Sequence, residues 1–477
     1  MRFTPAHRLV PLSLTFAASL ACDPPVIGPP IEPGADAAVL DQDSPGSGAP
    51  DAPASAAGCP VYDVDDPTQV TYGRSSSGPA VLDADTIWTA DRTYFVIGSL
   101  DVQGVTLTIE AGTHVCLDAG TGAPPTIDLR EGIGGGSSRL VVSGTASAPV
   151  VFAPATPDSR WNSVTLSASS SASLDQLWLV GGGAGGAGVL RVDENFPEAL
   201  VARNVHVEDV SGMALSLRAH AGLASDASLF VDSQRAGTSG PAIEVPLHAA
   251  STITPASLHL AASLPASARR VQLTNDFVDV DVTLRGDLGV PFVTAGDIVV
   301  ERSDASTPIP TLTLEAGVEV LFPSGERRVG RPAGLDRDGG NLVALGTAES
   351  PIRLGSASDT PAAGDWIGVV IVAGSFEPEV TELRHVVISD AGRDGGGLGS
   401  VLHCQTLPTP LTGGIRLRGS TSEPYEGPRL EAIEIVRSAG DGLAFGCTTI
   451  SCLTTDYAGA VTGTDIAGEL LRSRECP

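Results

Sequence analysis

Two pairs of aspartates, Asp83 with Asp85 and Asp279 with Asp281, have the residue type and spacing for chemistry. Two residues apart on a β-strand, both carboxylates of a pair leave the same face, where they could chelate a cation such as calcium. With an arginine nearby, the same carboxylates could serve acid and base steps on a polysaccharide. The plainer reading is that outward positions on a strand must be polar and that the pairs recur because a unit was duplicated. Trp161 and Trp366 offer ring faces on which a sugar could stack, yet both open equivalent strands, which points to packing.

Other motifs carry less. Asp336-Arg337-Asp338-Gly339-Gly340 begins like a calcium loop, but Thr347 stands where a closing Glu would be needed, so it reads as a turn. Gly183 to Gly188 satisfies a Gly-x-Gly-x-x-Gly pattern, but a second strand follows it, with no helix N-terminus to hold a phosphate. His206 lies near Asp209, and His385 near Asp390, without an evident nucleophile, and these read as surface polar residues. No nucleophile elbow, zinc-protease helix or Walker loop occurs. The reading therefore assigns no catalytic residue, no metal site and no cofactor, with calcium the one cation to keep in view.

The elements that position these residues are short strands. From about residue 78, apolar runs alternate with Gly, Ser, Asp and Pro turns, and no helical period persists beyond two turns. Leu107-Thr108-Ile109-Glu110-Ala111-Gly112 returns as Leu312-Thr313-Leu314-Glu315-Ala316-Gly317, each a strand ending in a bend. Glu110 and Glu315 belong to that turn and read as amide caps or partners for Arg. Around this marker, Val81–Asp85 matches Phe277–Asp281, and Gly98–Val102 matches Gly296–Val300. Leu140–Ala146 then matches Leu342–Ala348, Trp161 matches Trp366, and Val205-His206-Val207 matches Ile433-Glu434-Ile435. Order is kept while the offset drifts, as insertions into surface loops produce.

The run of strand, Ile-Glu-Ala-Gly, strand, Gly-Thr-Ala-x-x-Pro and a Trp-led strand resembles the right-handed parallel β-helix repeats of bacterial cell-surface and secreted proteins. The resemblance covers most of residues 78 to 460. It implies an all-β solenoid built from two homologous halves, 78–240 and 241–460, with end caps at 59–77 and 461–477. A β-propeller is disfavoured because two-residue hairpin turns are scarce. Pectate-lyase-like enzymes share the architecture, so the resemblance also implies an alternative to a binding scaffold: a polysaccharide lyase or glycoside hydrolase with a groove along the coil.

All 28 basic residues are Arg against 56 acidic ones, a formal charge of −28 that disfavours nucleic acid and anionic membranes as partners. Residues 1–21 read as a signal peptide: Arg2, His7 and Arg8 precede an apolar run from Leu9 to Ala21, too short to span a bilayer. Its end, Ser19-Leu20-Ala21-Cys22, resembles a bacterial lipobox with Ser19 in place of the usual Leu, implying lipidation at Cys22. Residues 22–58, rich in Pro and Asp, read as a disordered tether. The remaining six cysteines suggest disulfides in an exported chain. Cys59 with Cys116, Cys404 with Cys447, and Cys452 with Cys476 are the expected pairs, from proximity and clustering in sequence. Together these features describe an exported envelope lipoprotein of a Gram-negative bacterium, or a secreted one, whose surface binds a polysaccharide or a surface protein or serves as structure. Replacing Cys22 with Ser is expected to move the protein from the membrane to the soluble fraction and to abolish lipid labelling; unchanged fractionation would refute the anchor.

Overall fold

The computed structural model describes residues 58–475, apart from 74–77, 121, 168, 187, 194–198, 219–220, 275–276, 302–306, 326–327, 331–338, 373–379, 395–411, 419–425 and 448–454. Strand accounts for 48% of the described residues and helix for 3%, so the protein is all-β, and every strand pairing among the described residues is parallel. One sheet has eleven strands, one is strongly curled, a pair joins Phe277–Val278 to Val299–Val300, and a five-stranded sheet runs from Arg328–Gly330 to Leu471–Glu475.

The pairing follows from the side chains. In the curled sheet Leu100, Ile127, Val164, Leu190, Leu215, Ile243, Val271 and Phe292 stand opposite one another in successive strands. All eight are buried, and they form one row of a single continuous core. Fully burying an aliphatic side chain of this size contributes ~1.5–3 kcal/mol, so a one-residue slip, which would turn every such residue outward, is strongly disfavoured.

Sharp corners let one strand serve two directions. Ser171–Val180 pairs with Arg139–Ser143 through its first half and with Val150–Pro154 through its second, and the bend between them is at Gln176, with φ 50°. Asn204, His385 and Ala432 bend Leu200–Glu208, Glu382–Ser389 and Arg429–Ser438 in the same way, at φ 50°, 48° and 52°. A left-handed conformation at a non-glycine residue costs ~1–2 kcal/mol, which the packed strands on both sides offset. His385 is thus a corner residue, as is Asp209 with φ 50°. His206 and Asp390 are buried, at 3% and 2% exposure, which corrects their reading as surface residues. His206 falls in register between Trp178 and Phe230, while Asp390 lies in the bend after Glu382–Ser389, where Arg437 pairs with it.

Positions matched in sequence make matched hydrogen bonds. The amide of Gly112 donates to Ala148 O at 2.9 Å and that of Gly317 to Ser350 O at 3.0 Å. Gly144 donates to Asp175 O at 3.0 Å, and Gly346 to Arg384 O at 2.9 Å. Both latter glycines sit directly beneath a corner: a Cβ on Gly144 would lie 2.3 Å from Gln176 O, and one on Gly346 would lie 2.4 Å from His385 O. Gly144→Ala and Gly346→Ala are each expected to cost about 1–3 kcal/mol in a denaturant melt through overpacking against backbone. Gly73→Ala, where nothing lies within 4 Å of the added atom, is expected to change stability by less than about 0.5 kcal/mol.

Candidate functional site

The residues singled out in the sequence prove to be architectural. Asp83 and Asp85 lie in the bend between strands Ala80–Leu82 and Thr86–Trp88, not on a strand face. Asp85 Oδ1 accepts from the amide of Thr106 at 2.8 Å, and Asp281 Oδ1 accepts from the amide of Thr311 at the same distance. Each caps the first amide of the strand laid beside it, which explains why the pair recurs. Asp83 and Asp279 remain exposed. Trp161 and Trp366 are fully buried, so neither offers a face to a sugar. Their indole N–H groups donate to Val180 O and Ser389 O, each at 2.7 Å, and Trp366 stacks on Phe322. Packing, the alternative their repetition suggested, is their role.

Cys59 and Cys116 form a disulfide across 57 residues, tying the segment that holds Tyr62 over Phe95 to the strand His114–Asp118. Cys22, Cys404, Cys452, Cys476, the side chain of Cys447 and Asp336 to Asp338 lie outside the described residues. Among the described residues no three His, Cys, Asp or Glu side chains are placed to hold a metal ion, and no helix is long and apolar enough to cross a membrane.

A polar row that sequence reasoning missed runs across the outer face of the curled sheet. Between the inward Leu100 and Val102 stands Asp101, and opposite it, strand by strand, come Asp128, Thr165, Arg191, Ser216, Glu244 and Gln272. Although they point away from the core, several are covered: Asp101 is 4% exposed, Thr165 7% and Ser216 0%. Ion pairs run along the row. Arg130 reaches Asp101 at 3.5 Å and also bonds Asp128, Arg191 meets Asp193 at 2.8 Å, and Arg218 bridges Asp193 at 3.7 Å and Glu244 at 3.8 Å.

A cleft opens at each end of this row. One, of about 360 Å³, is floored by Asp101, Asp128 and Arg130 and lined by Ser99 and Thr126. The other, of about 460 Å³, is lined by Glu244, Gln272 and Thr274. Burial pushes the Asp101 carboxyl above its usual range, Arg130 opposes that shift, and the Asp128 charge adds to it. Asp101 Oδ1 is buried without a hydrogen-bond partner. The fold does not require this acid, because the residue matched to Asp101 in the second copy of the motif is Val299.

A second outer row lies on the eleven-stranded sheet. Trp178, His206, Phe230 and His259 stack with ring centroids 4.2, 4.5 and 4.4 Å apart. His206 Nδ1 lies 2.9 Å from Asp232 Oδ2. Burial, followed by the charge of Asp232, raises the pKa of the neighbouring Glu208. The rings mostly satisfy one another, so this row reads first as packing.

Fold and site together define an all-β protein of parallel sheets with a charged, cleft-bearing outer face. Compared with known proteins, the chain matches no protein-family model, no curated protein and no solved structure. A carboxyl whose folded pKa is raised contributes stability that is fully present below its unfolded value, here near 3.8, and lost as pH rises through the folded value. Asp101→Asn, neutral at every pH, is therefore expected to melt higher than the parent at pH 7, with the difference closing below about pH 4. An unchanged or lower melting temperature at pH 7 would contradict the cost assigned to Asp101.

Proposed function

We propose that this chain is an exported, lipid-anchored envelope protein whose parallel sheets wind as a right-handed β-helix of two homologous halves. Its outer polar face serves as a non-catalytic binding surface for glycan. The carrying observation is the in-register row from Asp101 to Gln272 with a cleft at each end. Partly exposed ion pairs of this kind contribute only ~0–1 kcal/mol each, so they add little to stability. Acids, hydroxyls, a guanidinium and a carboxamide offer acceptors and donors at the ~4.8 Å spacing of parallel strands, a fixed comb suited to the hydroxyls of an extended polymer. The matched hydrogen bonds of the two motif copies support the duplicated coil, and the N-terminal pattern supports export.

The test is a glycan array probed with the parent chain and with Arg191→Glu, which reverses a charge at the centre of the row. Binding by the parent, weakened at least tenfold in the variant, is expected. No glycan bound, or equal binding by both, would end this reading.

One observation favours a polysaccharide lyase or hydrolase instead: Asp101, Asp128 and Arg130 converge from adjacent strands in one cleft. Release of reducing ends or unsaturated sugars from a bound glycan, lost in Asp128→Asn, would move the assignment to the enzyme.

A further inference from the structure

The cleft floored by Asp101, Asp128 and Arg130 can be read further than a generic part of the surface. Asp101 Oδ1 lies in a residue 96% buried, given its 4% exposure, and has no partner. Leaving such an acceptor unsatisfied is costly, and more so when the group is charged. Its other oxygen is held only at long range, 3.5 Å from both Gln103 Nε2 and Arg130 Nη1. Arg130 bonds Asp128 more closely and is half exposed, with donors to spare at the mouth. Among the described residues, Asp128 Oδ1 meets only Ser167 Oγ, at 3.5 Å. The floor thus combines under-used acceptors on two adjacent strands with a guanidinium donor beside them, and its formal charge is −1.

We propose that this cleft holds one neutral hexose unit of a glycan and rejects uronic acids; the inference rests on the glycan-binding reading of the face. Vicinal hydroxyls match the floor because each can donate to an aspartate while accepting from Arg130. A volume of about 360 Å³ falls at the lower end of the range for small-molecule sites. Walls of Gly98, Ala119 and Ala123 leave room for a ring without adding charge. A ring carboxylate would meet the two aspartates with a single guanidinium to offset them, and the chain's net charge of −28 adds to its exclusion.

Isothermal titration and saturation-transfer NMR would compare methyl glucoside, methyl galactoside and methyl mannoside with glucuronate and galacturonate, using the parent, Asp128→Asn and Asp359→Asn. At least one neutral glycoside is expected to bind with millimolar affinity, its uronate counterpart at least tenfold more weakly. Asp128→Asn should weaken the neutral sugar at least tenfold, while Asp359→Asn, an exposed bend residue outside the row and both clefts, leaves it unchanged. Uronates binding as well as neutral sugars, no neutral glycoside binding, or insensitivity to Asp128→Asn with a parent-like melt would each overturn the assignment. If array glycans still bind the parent in those cases, the surface reading survives and only the cleft assignment falls; if they do not, both fall.

Discussion

The structure depends on one constraint: each buried aliphatic side chain must be covered by its counterpart in the next parallel strand. Leu100, Ile127, Val164, Leu190 and their successors are individually modest contributions, but register makes them a continuous column. With Gly, Ala and Val so frequent and aromatics at 4%, the interior has few large side chains to fill gaps. Alignment between strands therefore does the work that bulky residues do in other cores. Corners follow from the same need. Gln176, Asn204, His385 and Ala432 accept strained left-handed backbone because the alternative is to take the flanking residues out of register.

Register also creates the outer face. Once the inward positions are fixed, the residue between them is displayed in a line, so unrelated outward residues become neighbours at strand spacing. Asp101 and Asp128, 27 residues apart in sequence, become adjacent this way, and Arg130 comes within reach of both. Burial raises the cost of ionising Asp101, and the neighbouring Asp128 charge adds to it. A buried acid with an unpartnered oxygen, absent from the matched motif, is a local inconsistency of the kind expected at sites kept for binding.

Much of the fold was legible in the sequence, and most of the candidate site was not. Alternation and recurring Gly bends identified all-β architecture, and the Leu107–Gly112 marker with its copy at Leu312–Gly317 proved to be a strand and bend in both places. The pairing of Cys59 with Cys116 was legible from their neighbourhood in the chain. The aspartate pairs, expected on a strand face, lie instead in a bend, where Asp85 and Asp281 cap the Thr106 and Thr311 amides, a task that repeats wherever the bend repeats. Trp161 and Trp366 could be placed by repetition, but their burial required the packed neighbours.

By itself the sequence determined the period: which residues alternate, where glycines bend the chain, and that the motif is used twice. These are local properties, set by backbone geometry and side-chain type over a few residues. Only the tertiary structure decided which strand lies beside which, and therefore that Asp101, Asp128 and Arg130 share a cleft while Asp83 and Asp85 do not share a strand face. Loop lengths between strands vary, so spacing along the chain does not specify the partner across the sheet; burial of the aliphatic columns selects it, and the outer face inherits the result.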